Sequence, residues 1–387
     1  MKNDINLLPT PFTELLRPHN LNHSWERWEG RLSVGAFDNE VREYFAIRNA
    51  VSLYDTSPMT QYRVTGRDAG AFLDRLMTRD MAKCRVEQAV YGCWCDDAGK
   101  VVEDGTVFRL AETEYLINVQ EHNLAWFEDT AYGFETRIED VTEEYCSLAI
   151  QGPLSRRLLE EAGVAGIGGL KFFRLMRAKL DSIELLVART GFTGDLGYEL
   201  YLDPRDAARL WERLWAAPIA SRLIPTGSRA LNFARIEAGF LQVNADFIGA
   251  EHCLRPSQRR SPYELGFDWL VDLKKPAYFV GRRALEREQA AGGPRRRLVG
   301  LDVKGNKPAE DSFLYSGKKE VGRVTSAFWS PTCKRNIAIA TVKAGYERLG
   351  TMLEADIWTT KELKIERTMM PAKVVQRPFY DPPHKKA

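Results

Sequence analysis

Residues 189–199 read RTGFTGDLGYE and carry the densest signal in the chain. Three glycines in the seven residues from 191 to 197 let the backbone come close to another group. Phe192 offers an aromatic face and Glu199 offers a carboxylate. Taken alone, the stretch predicts a hairpin loop, and a loop that binds a ligand is the alternative.

A pair of adjacent acids lies upstream of this loop. A tight turn at residues 96–99 joins two predicted strands, and Glu103 and Asp104 follow it in the second strand. Neighbouring strand residues face opposite sides, so one acid points inward. A buried carboxylate is costly unless it has a partner or a function. The residues alone favour a structural ion pair over a catalytic acid.

Around these two stretches, short strands alternate with helices without a long run of βαβ units. This order predicts an α+β fold, with two interleaved split-βαβ units over residues 1–270. Residues 288–297 (EQAAGGPRRR) are typical of a linker, and the later segments resemble the strands of a small β barrel or sandwich. We therefore expect one domain at residues 1–288 and a second at residues 296–387.

Charge and cysteine usage exclude several classes of protein. The 387 residues include 55 basic and 53 acidic side chains, so the formal net charge is +2. This balance gives no general attraction to nucleic acid or to anionic membranes. Six cysteines form neither a disulfide framework nor a zinc pattern, and residues 1–9 lack the apolar run of a signal peptide. We expect a cytoplasmic protein with no metal, nucleic acid or membrane partner.

Several other features favour plain structural interpretations. The glycine-rich residues 163–169 lack dinucleotide-binding spacing, and no phosphate-binding loop or nucleophile elbow is present. The basic residues 295–297 predict a solvated linker. Residues 384–387 predict a frayed tail.

Seven motifs resemble, in order, those of the tetrahydrofolate-dependent aminomethyltransferases, the family of the glycine cleavage T-protein. Each motif alone is weak, but the ordered set runs from about residue 39 to residue 382 and is specific. They are DTSPM at 55–59, DDAGKVVED at 96–104, RTGFTGDLGYE at 189–199, GSR and ARIEAG at 227–229 and 234–239, SPYELG at 261–266, GRVTS and SPT at 322–326 and 330–332, and RPFYDP at 377–382.

The resemblance implies a fold and a ligand. The fold is a three-domain cloverleaf of the T-protein type around a central folate channel, with the interleaved units followed by a C-terminal small β barrel. The ligand is tetrahydrofolate. Residues 1–288 would then form the folate-binding aminomethyltransferase-like region.

The resemblance also implies roles for three charged residues. Asp104 matches the catalytic aspartate, which orients the folate and stabilises positive charge that develops at nitrogen. Glu199 matches the carboxylate that accepts two N–H groups from the pterin ring. Arg229 matches the cation that pairs with the anionic glutamate tail of folate.

Five further residues are implied to bind the cofactor. The faces of the pterin ring need apolar or aromatic walls, and Tyr91, Phe192 and Trp269 match such positions. Met59 lies in the motif at 55–59, and Gln120 stands at the position of an asparagine in the corresponding family segment.

Departures from the family pattern concentrate around the donor. Pro58 replaces a histidine, Gln120 opens a stretch that is asparagine-rich in the family, and Ala230 replaces an aspartate. The folate scaffold is kept while the substrate pocket is changed. The pattern is similar to relatives that demethylate small molecules, including methoxylated aromatics.

The hypothesis that follows is methyl transfer from a small O-, S- or N-methylated donor to tetrahydrofolate. Cys93, Trp94 and Cys95 beside Tyr91 would suit a flat or sulphur-bearing donor, although strand alternation places Trp94 equally well in the core. One alternative is the T-protein reaction, with an aminomethyl donor on a lipoyl carrier protein. Another is a non-catalytic folate-binding protein.

Overall fold

The computed structural model describes residues 7–386, except for the side chain of Lys361. The prediction that residues 1–9 are no signal peptide therefore falls partly outside the described residues. Ala387, the last residue of the predicted frayed tail, lies outside them as well. The α-helices are α1 (Thr13–Leu16), α2 (Glu40–Asn49), α3 (Ala69–Leu76), α4 (Leu124–Ala131), α5 (Ser155–Ala162), α6 (Ala207–Trp215), α7 (Ser228–Glu237) and α8 (Arg282–Ala290).

The strands form three sheets and a barrel. They are β1 (Ser24–Trp28), β2 (Arg31–Ala36), β3 (Val51–Asp55), β4 (Thr60–Thr65), β5 (Gln88–Cys95), β6 (Val101–Ala111), β7 (Glu114–Val119), β8 (Arg137–Asp140), β9 (Cys146–Gln151), β10 (Leu175–Leu180), β11 (Ile183–Ala188), β12 (Gly197–Leu202), β13 (Leu223–Pro225), β14 (Arg296–Val303), β15 (Phe313–Ser316), β16 (Lys319–Ser330), β17 (Arg335–Lys343), β18 (Met352–Lys361) and β19 (Lys364–Val375).

The first two large sheets are interleaved along the chain. A six-stranded sheet has the order β10-β11-β12-β9-β3-β13, and a five-stranded sheet has the order β5-β6-β7-β4-β8. The chain thus leaves the first sheet after β3, builds the second with β4 to β8, and returns at β9. The predicted α+β fold with two interleaved units is confirmed.

The C-terminal strands close a barrel in the order β14-β17-β16-β15-β18-β19. Small and branched side chains such as Val299, Leu301 and Ala338 fill its interior. The predicted small β barrel is confirmed. The bounds of the two domains, residues 1–288 and 296–387, stay predictions.

Apolar faces of the two sheets meet and fix their relative position. Phe108 and Leu116 of the five-stranded sheet pack against Leu186 and Tyr201 of the six-stranded sheet, and all four are buried. The rings of Phe108 and Tyr201 meet edge to face with centroids 5.5 Å apart. The helices pack on the outer faces of the two sheets. A space remains between the inner faces beyond this contact.

Three features correct the sequence-based expectations. Residues 24–36, for which no element was predicted, form the β1–β2 hairpin. Most of their side chains are half-exposed, so no alternation of polar and apolar residues marks the strands. Residues 288–297 are not a free linker, since α8 runs to Ala290 and β14 begins at Arg296. Arg297 is not merely solvated, because its guanidinium donates to Asp268 at 3.3 Å.

Among residues 7–386, no helix is long and apolar enough to cross a membrane.

Candidate functional site

A cavity of about 1620 Å³ lies between the two interleaved sheets, α7 and the barrel. All eight residues expected at a folate site contribute to its wall: Met59, Tyr91, Asp104, Gln120, Phe192, Glu199, Arg229 and Trp269. The sequence motifs come from several elements, and the fold brings them to one place.

Asp104 lies on β6 and is held by its neighbour on β5. The Tyr91 hydroxyl donates to Asp104 Oδ2 at 2.5 Å. Burial raises the pKa of Asp104 to about 6, although the Tyr91 hydrogen bond opposes the shift. The Asp104 side chain therefore changes charge near physiological pH, as a group that handles charge or protons in a cavity should.

Among residues 7–386, Glu103 has no ion-pair partner, so the prediction of a structural ion pair is wrong. Its carboxylate accepts from the backbone N–H groups of Gln120 at 2.8 Å and Glu121 at 3.0 Å, and from the Asn123 amide. Burial raises the pKa of Glu103 well above its ordinary value. Glu103 thus fixes the turn after β7, which carries Gln120 into the cavity wall.

Glu199 lies on β12, in the opposite sheet. It accepts from the hydroxyl of Thr190 at 2.8 Å and from that of Tyr201 at 3.1 Å. Burial raises its pKa above the ordinary value. Both hydroxyls donate to Oε2, so Oε1 is left to accept from a further partner that supplies N–H groups.

The glycines of residues 189–199 serve a close approach, as expected, but to a side chain of the protein itself. A Cβ at Gly191 or at Gly197 would lie 2.1 or 2.2 Å from the Gln151 Oε1 atom. That amide accepts from the Thr193 hydroxyl at 2.8 Å and donates to the Thr190 carbonyl at 3.3 Å. Gln151 therefore shapes the loop that orients Glu199.

Aromatic rings line two parts of the cavity. Tyr91 and Trp269 stack with centroids 6.0 Å apart, and Phe267 meets Tyr91 edge to face at 6.1 Å. Phe192 stacks on Phe240 at 5.8 Å. The first group includes Tyr91, whose hydroxyl holds Asp104. Trp269 is 65% exposed, so part of its ring is accessible to a ligand.

Arg229 supplies a cation at the start of α7. Its guanidinium lies 3.4 Å from a carboxylate oxygen of Glu26 on β1 and 3.5 Å from the Ser24 hydroxyl. The arginine side chain is half-exposed, so an anionic ligand can reach it from solvent. The β1–β2 hairpin thus belongs to the cavity wall, which the sequence did not show.

Cys93, Trp94 and Cys95 do not line the cavity. All three are buried in the core, and the Trp94 indole donates to the Asn123 amide oxygen at 3.2 Å. The suggestion that they contact a sulphur-bearing donor is wrong, and the alternative core position of Trp94 is the correct one.

The C-terminal turn Pro383–Lys386 is not a frayed tail. The His384 imidazole is 2.7 Å from Asp195 Oδ1, and Arg189 donates to the Lys385 carbonyl at 3.3 Å. The Lys385 ammonium lies 5.5 Å from the centroid of Phe240. Lys385 and Lys386 both line the cavity. Sequence gave no signal here, because lysines near a chain end ordinarily face solvent.

A second residue that sequence reasoning missed is Asn118 on β7. It lines the cavity, it is 1% exposed, and neither polar atom of its amide has a partner among the described residues. A polar residue at the penultimate position of the apolar run EYLINV was a signal that could have been noticed.

The wall fits a reduced pterin joined to an anionic tail. Glu199 offers an acceptor for adjacent N–H groups, aromatic rings offer flat contacts, and Arg229 offers a cation. The space between the sheets can take a ligand of folate size. No group of His, Cys, Asp and Glu side chains in residues 7–386 is arranged to hold a metal ion.

Comparison with known families gives a consistent result. The family model described as "GCVT N-terminal domain" matches residues 10–275. The model described as "Glycine cleavage T-protein C-terminal barrel domain" matches residues 296–381.

Similar curated proteins include aminomethyltransferases and one differently named enzyme. The aminomethyltransferase of Alkaliphilus metalliredigens is 31% identical over 360 residues, which cover 90% of this chain and 92% of the relative. That of Geobacillus kaustophilus is 34% identical over 350 residues, covering 89% and 91%. The trimethylamine-oxide aldolase of Ruegeria pomeroyi is 32% identical over 355 residues, covering 88% of this chain but 43% of that protein.

Among solved structures, the fold matches aminomethyltransferase T of the glycine cleavage system from Bartonella henselae. The TM-score is 0.84 at 24% identity, and the match covers 97% of this chain and 98% of the other. This likeness shows the three-part fold.

Proposed function

The chain belongs to the glycine cleavage T-protein family of folate-dependent aminomethyltransferases, and on that premise we propose that it moves a methyl group from a small O-, S- or N-methylated donor to tetrahydrofolate. Family membership makes it a transferase enzyme. The identity of the one-carbon unit is the finer part of the proposal.

The observation that carries the proposal is the placement of two carboxylates on facing sheets. Glu199 and Asp104 line the same cavity, and each is held by a tyrosine hydroxyl. We assign the pterin ring to Glu199 and the reacting end of the ligands to Asp104. Arg229 takes the anionic tail, and Met59, Tyr91, Gln120, Phe192 and Trp269 complete the wall.

When bound, tetrahydrofolate would supply N5 as the nucleophile for the methyl carbon; the donor heteroatom would leave with the bonding electron pair, and the proton lost from N5 would go to that heteroatom or, with an onium donor, to solvent. The Asp104 carboxylate stabilises positive charge near that nitrogen. Tyr91 holds the carboxylate in one orientation. The surrounding rings exclude water, and positioning supplies most of the barrier lowering.

The surroundings of Asp104 support a methyl donor. Tyr91, Phe267 and Trp269 form one contacting group, and such a wall favours a flat or methylated molecule. Pro58 stands where the family has a histidine and supplies no group for proton transfer. Release of ammonia from an aminomethyl group needs a proton, whereas a sulfonium or quaternary ammonium methyl donor leaves as a neutral molecule without one.

Aminomethyl transfer is the second candidate, and the names of the relatives favour it. The proteins from Alkaliphilus and Geobacillus are called aminomethyltransferases and align with about nine-tenths of the chain. In that case a lipoyl-bearing carrier protein would dock at the cavity mouth and ammonia would leave.

Identification of the folate product decides between the candidates. The purified protein is incubated with tetrahydrofolate and a panel of O-, S- and N-methyl compounds, and the folate is analysed by mass. We expect methyl-tetrahydrofolate from at least one donor. The Asp104→Asn variant serves as the matched control. Exchange between glycine and bicarbonate in the presence of the other glycine-cleavage proteins would reject methyl transfer in favour of the T-protein reaction.

The assignment to the cytoplasm and the absence of a nucleic acid partner belong to this proposal as well. They stand on the sequence composition alone.

A further inference from the structure

We propose that Asn118 is a recognition residue for the reduced pterin, binding the polar edge of the ring that Glu199 leaves free. The inference rests on the proposed binding of tetrahydrofolate and adds a residue that the family motifs do not include.

Asn118 belongs to a row of polar side chains across four strands. Backbone pairing places Tyr91 opposite Thr106, Thr106 opposite Asn118, and Asn118 opposite Gln61. Directly paired residues lie on the same face of a sheet. Tyr91, Thr106 and Asn118 all line the cavity, so this is the face that looks between the sheets.

The row lies beside the contact that joins the two sheets. Phe108 and Leu116 on one sheet meet Tyr201 on the other, and these apolar side chains close the cavity at that end. Along β7, the next residue on the same face as Leu116 is Asn118, so the apolar contact ends at Leu116. On the opposite sheet, the same-face neighbour of Tyr201 is Glu199. The Asn118 amide and the Glu199 carboxylate therefore both lie next to the apolar contact that closes this end of the cavity.

The amide of Asn118 has unused hydrogen-bonding capacity. Its Nδ2 and Oδ1 atoms are both buried and have no partner among residues 7–386, and Gln61 Oε1 beside it is in the same state. A buried polar group without a partner destabilises the folded state. Apolar side chains dominate the rest of β7, so a leucine would be the stable choice at this position if no ligand were bound.

The chemistry of a carboxamide identifies its partner. It presents one donor and one acceptor side by side. A reduced pterin has a carbonyl next to a ring N–H, outside the edge that a carboxylate would take. Asn118 and Glu199 can thus read complementary edges of one ring, and an all-apolar wall could not do so.

The test compares two variants that each replace a buried strand asparagine by the nearly isosteric leucine. Asn118→Leu removes the amide at the cavity. Asn336→Leu is the matched control, because Asn336 is 1% exposed in the barrel and its Oδ1 also has no partner. Tetrahydrofolate affinity is measured by calorimetry without any donor, and thermal unfolding is measured without any ligand.

We expect Asn118→Leu to weaken tetrahydrofolate binding by about tenfold, the effect of one or two lost hydrogen bonds. We expect the same variant to unfold at a higher temperature than the unaltered protein, because the unpaired amide is gone. Asn336→Leu should leave affinity unchanged and unfold at a lower temperature, since it loses the bond to the Lys307 carbonyl. Tetrahydropterin, which lacks the benzoylglutamate part, should show the same loss with Asn118→Leu.

Each other outcome overturns the inference. Unchanged affinity in Asn118→Leu, or in Asn118→Ala if the leucine variant does not fold, removes Asn118 from the pterin site. A change confined to the KM of the methyl donor assigns the residue to the donor instead. Failure of the unaltered protein to bind tetrahydrofolate would overturn the proposed function itself. Failure of the Asn118 inference alone would show as equal affinity in the unaltered protein and in Asn118→Leu.

Discussion

Two neighbouring acids on β6 have different tasks because a strand turns successive side chains to opposite faces. Glu103 is 1% exposed and is occupied by N–H groups of the turn after β7, whereas Asp104 meets a single hydroxyl and the cavity. The first acid shapes the wall. The second is available for chemistry.

The pKa of Asp104 leads to a prediction about pH. Burial raises this pKa to about 6, and the proposed role needs the ionised carboxylate. Turnover should therefore fall as the pH drops through about 6 and should be level above it. Asp104→Asn should lower kcat by about 100-fold or more above about pH 6 and abolish this step in the profile.

Glu103→Gln provides the comparison for that prediction. It keeps the shape of the side chain and should retain the pH step, with a much smaller loss of turnover. Equal losses in the Glu103 and Asp104 variants, each shown to be folded by circular dichroism, would contradict the division of tasks.

A second prediction concerns Glu199. Its two hydroxyl donors leave acceptor capacity for N–H groups, so Glu199→Gln should weaken tetrahydrofolate binding by about 1.5–3 kcal/mol, the range for a charge-assisted hydrogen bond. Calorimetric titration measures the change. Glu184→Gln on the adjacent strand β11 is the control, because that carboxylate is solvent-exposed, and unchanged affinity in Glu199→Gln would remove Glu199 from the site.

At the scale of elements, the loop at residues 189–199 depends on Gln151 at the end of β9. Gly197→Ala would place a methyl group 2.2 Å from the Gln151 Oε1 atom. The amide cannot move aside without losing its bonds to Thr193 and Thr190. We expect the substitution to destabilise the fold by about 1–3 kcal/mol, as overpacking does, and to weaken folate binding through Glu199.

Urea unfolding and folate titration test this expectation. Gly169→Ala is the matched control, since a Cβ there meets nothing within 4 Å. The explanation for the glycines would be wrong if the two alanine variants had the same stability and the same affinity.

This loop shows how far the sequence alone could lead. The glycine spacing predicted a close approach of the backbone, which is a local property of residues 189–199. That the approaching group is Gln151 could not be predicted, because nothing in the loop encodes a partner on another strand. Asp104 and Glu199 lie inside family motifs, so the resemblance pointed to them. Asn118 lies outside all seven motifs, so the same comparison missed it.

The β1–β2 hairpin and the C-terminal turn show the complementary limit. Burial in the hairpin is nearly uniform along β1, so no alternation of polar and apolar residues marks the strand. Lys385 is held by Arg189 and by the face of Phe240, and both contacts join distant parts of the chain. Sequence patterns report local structure, whereas these two segments are ordered by tertiary contacts.

At the scale of the whole molecule, one arginine connects the parts around the cavity. The guanidinium of Arg48 on α2 donates to Glu237 of α7 at 2.8 Å and to Asp195 of the 189–199 loop at 3.2 Å. Ser330 of the barrel also donates to Glu237, and His384 of the C-terminal turn contacts Asp195. Helices α2 and α7, the 189–199 loop, the barrel and the C-terminal turn therefore meet in this network.

The network predicts that Arg48 is needed for the six-stranded sheet with its helices to unfold together with the barrel. Arg48→Met keeps much of the side-chain volume but leaves Glu237 and Asp195 buried without their cation, and removal of one member of a buried ion pair costs about 3–5 kcal/mol. Urea unfolding followed by tryptophan fluorescence and by circular dichroism should show a lower midpoint for this variant, and the two transitions should separate if the barrel loosens first. Arg205→Met, which removes a solvent-exposed partner of Asp203, should leave the midpoint unchanged. Equal midpoints for the two variants would mean that packing of the sheets, rather than this buried network, holds the cavity together.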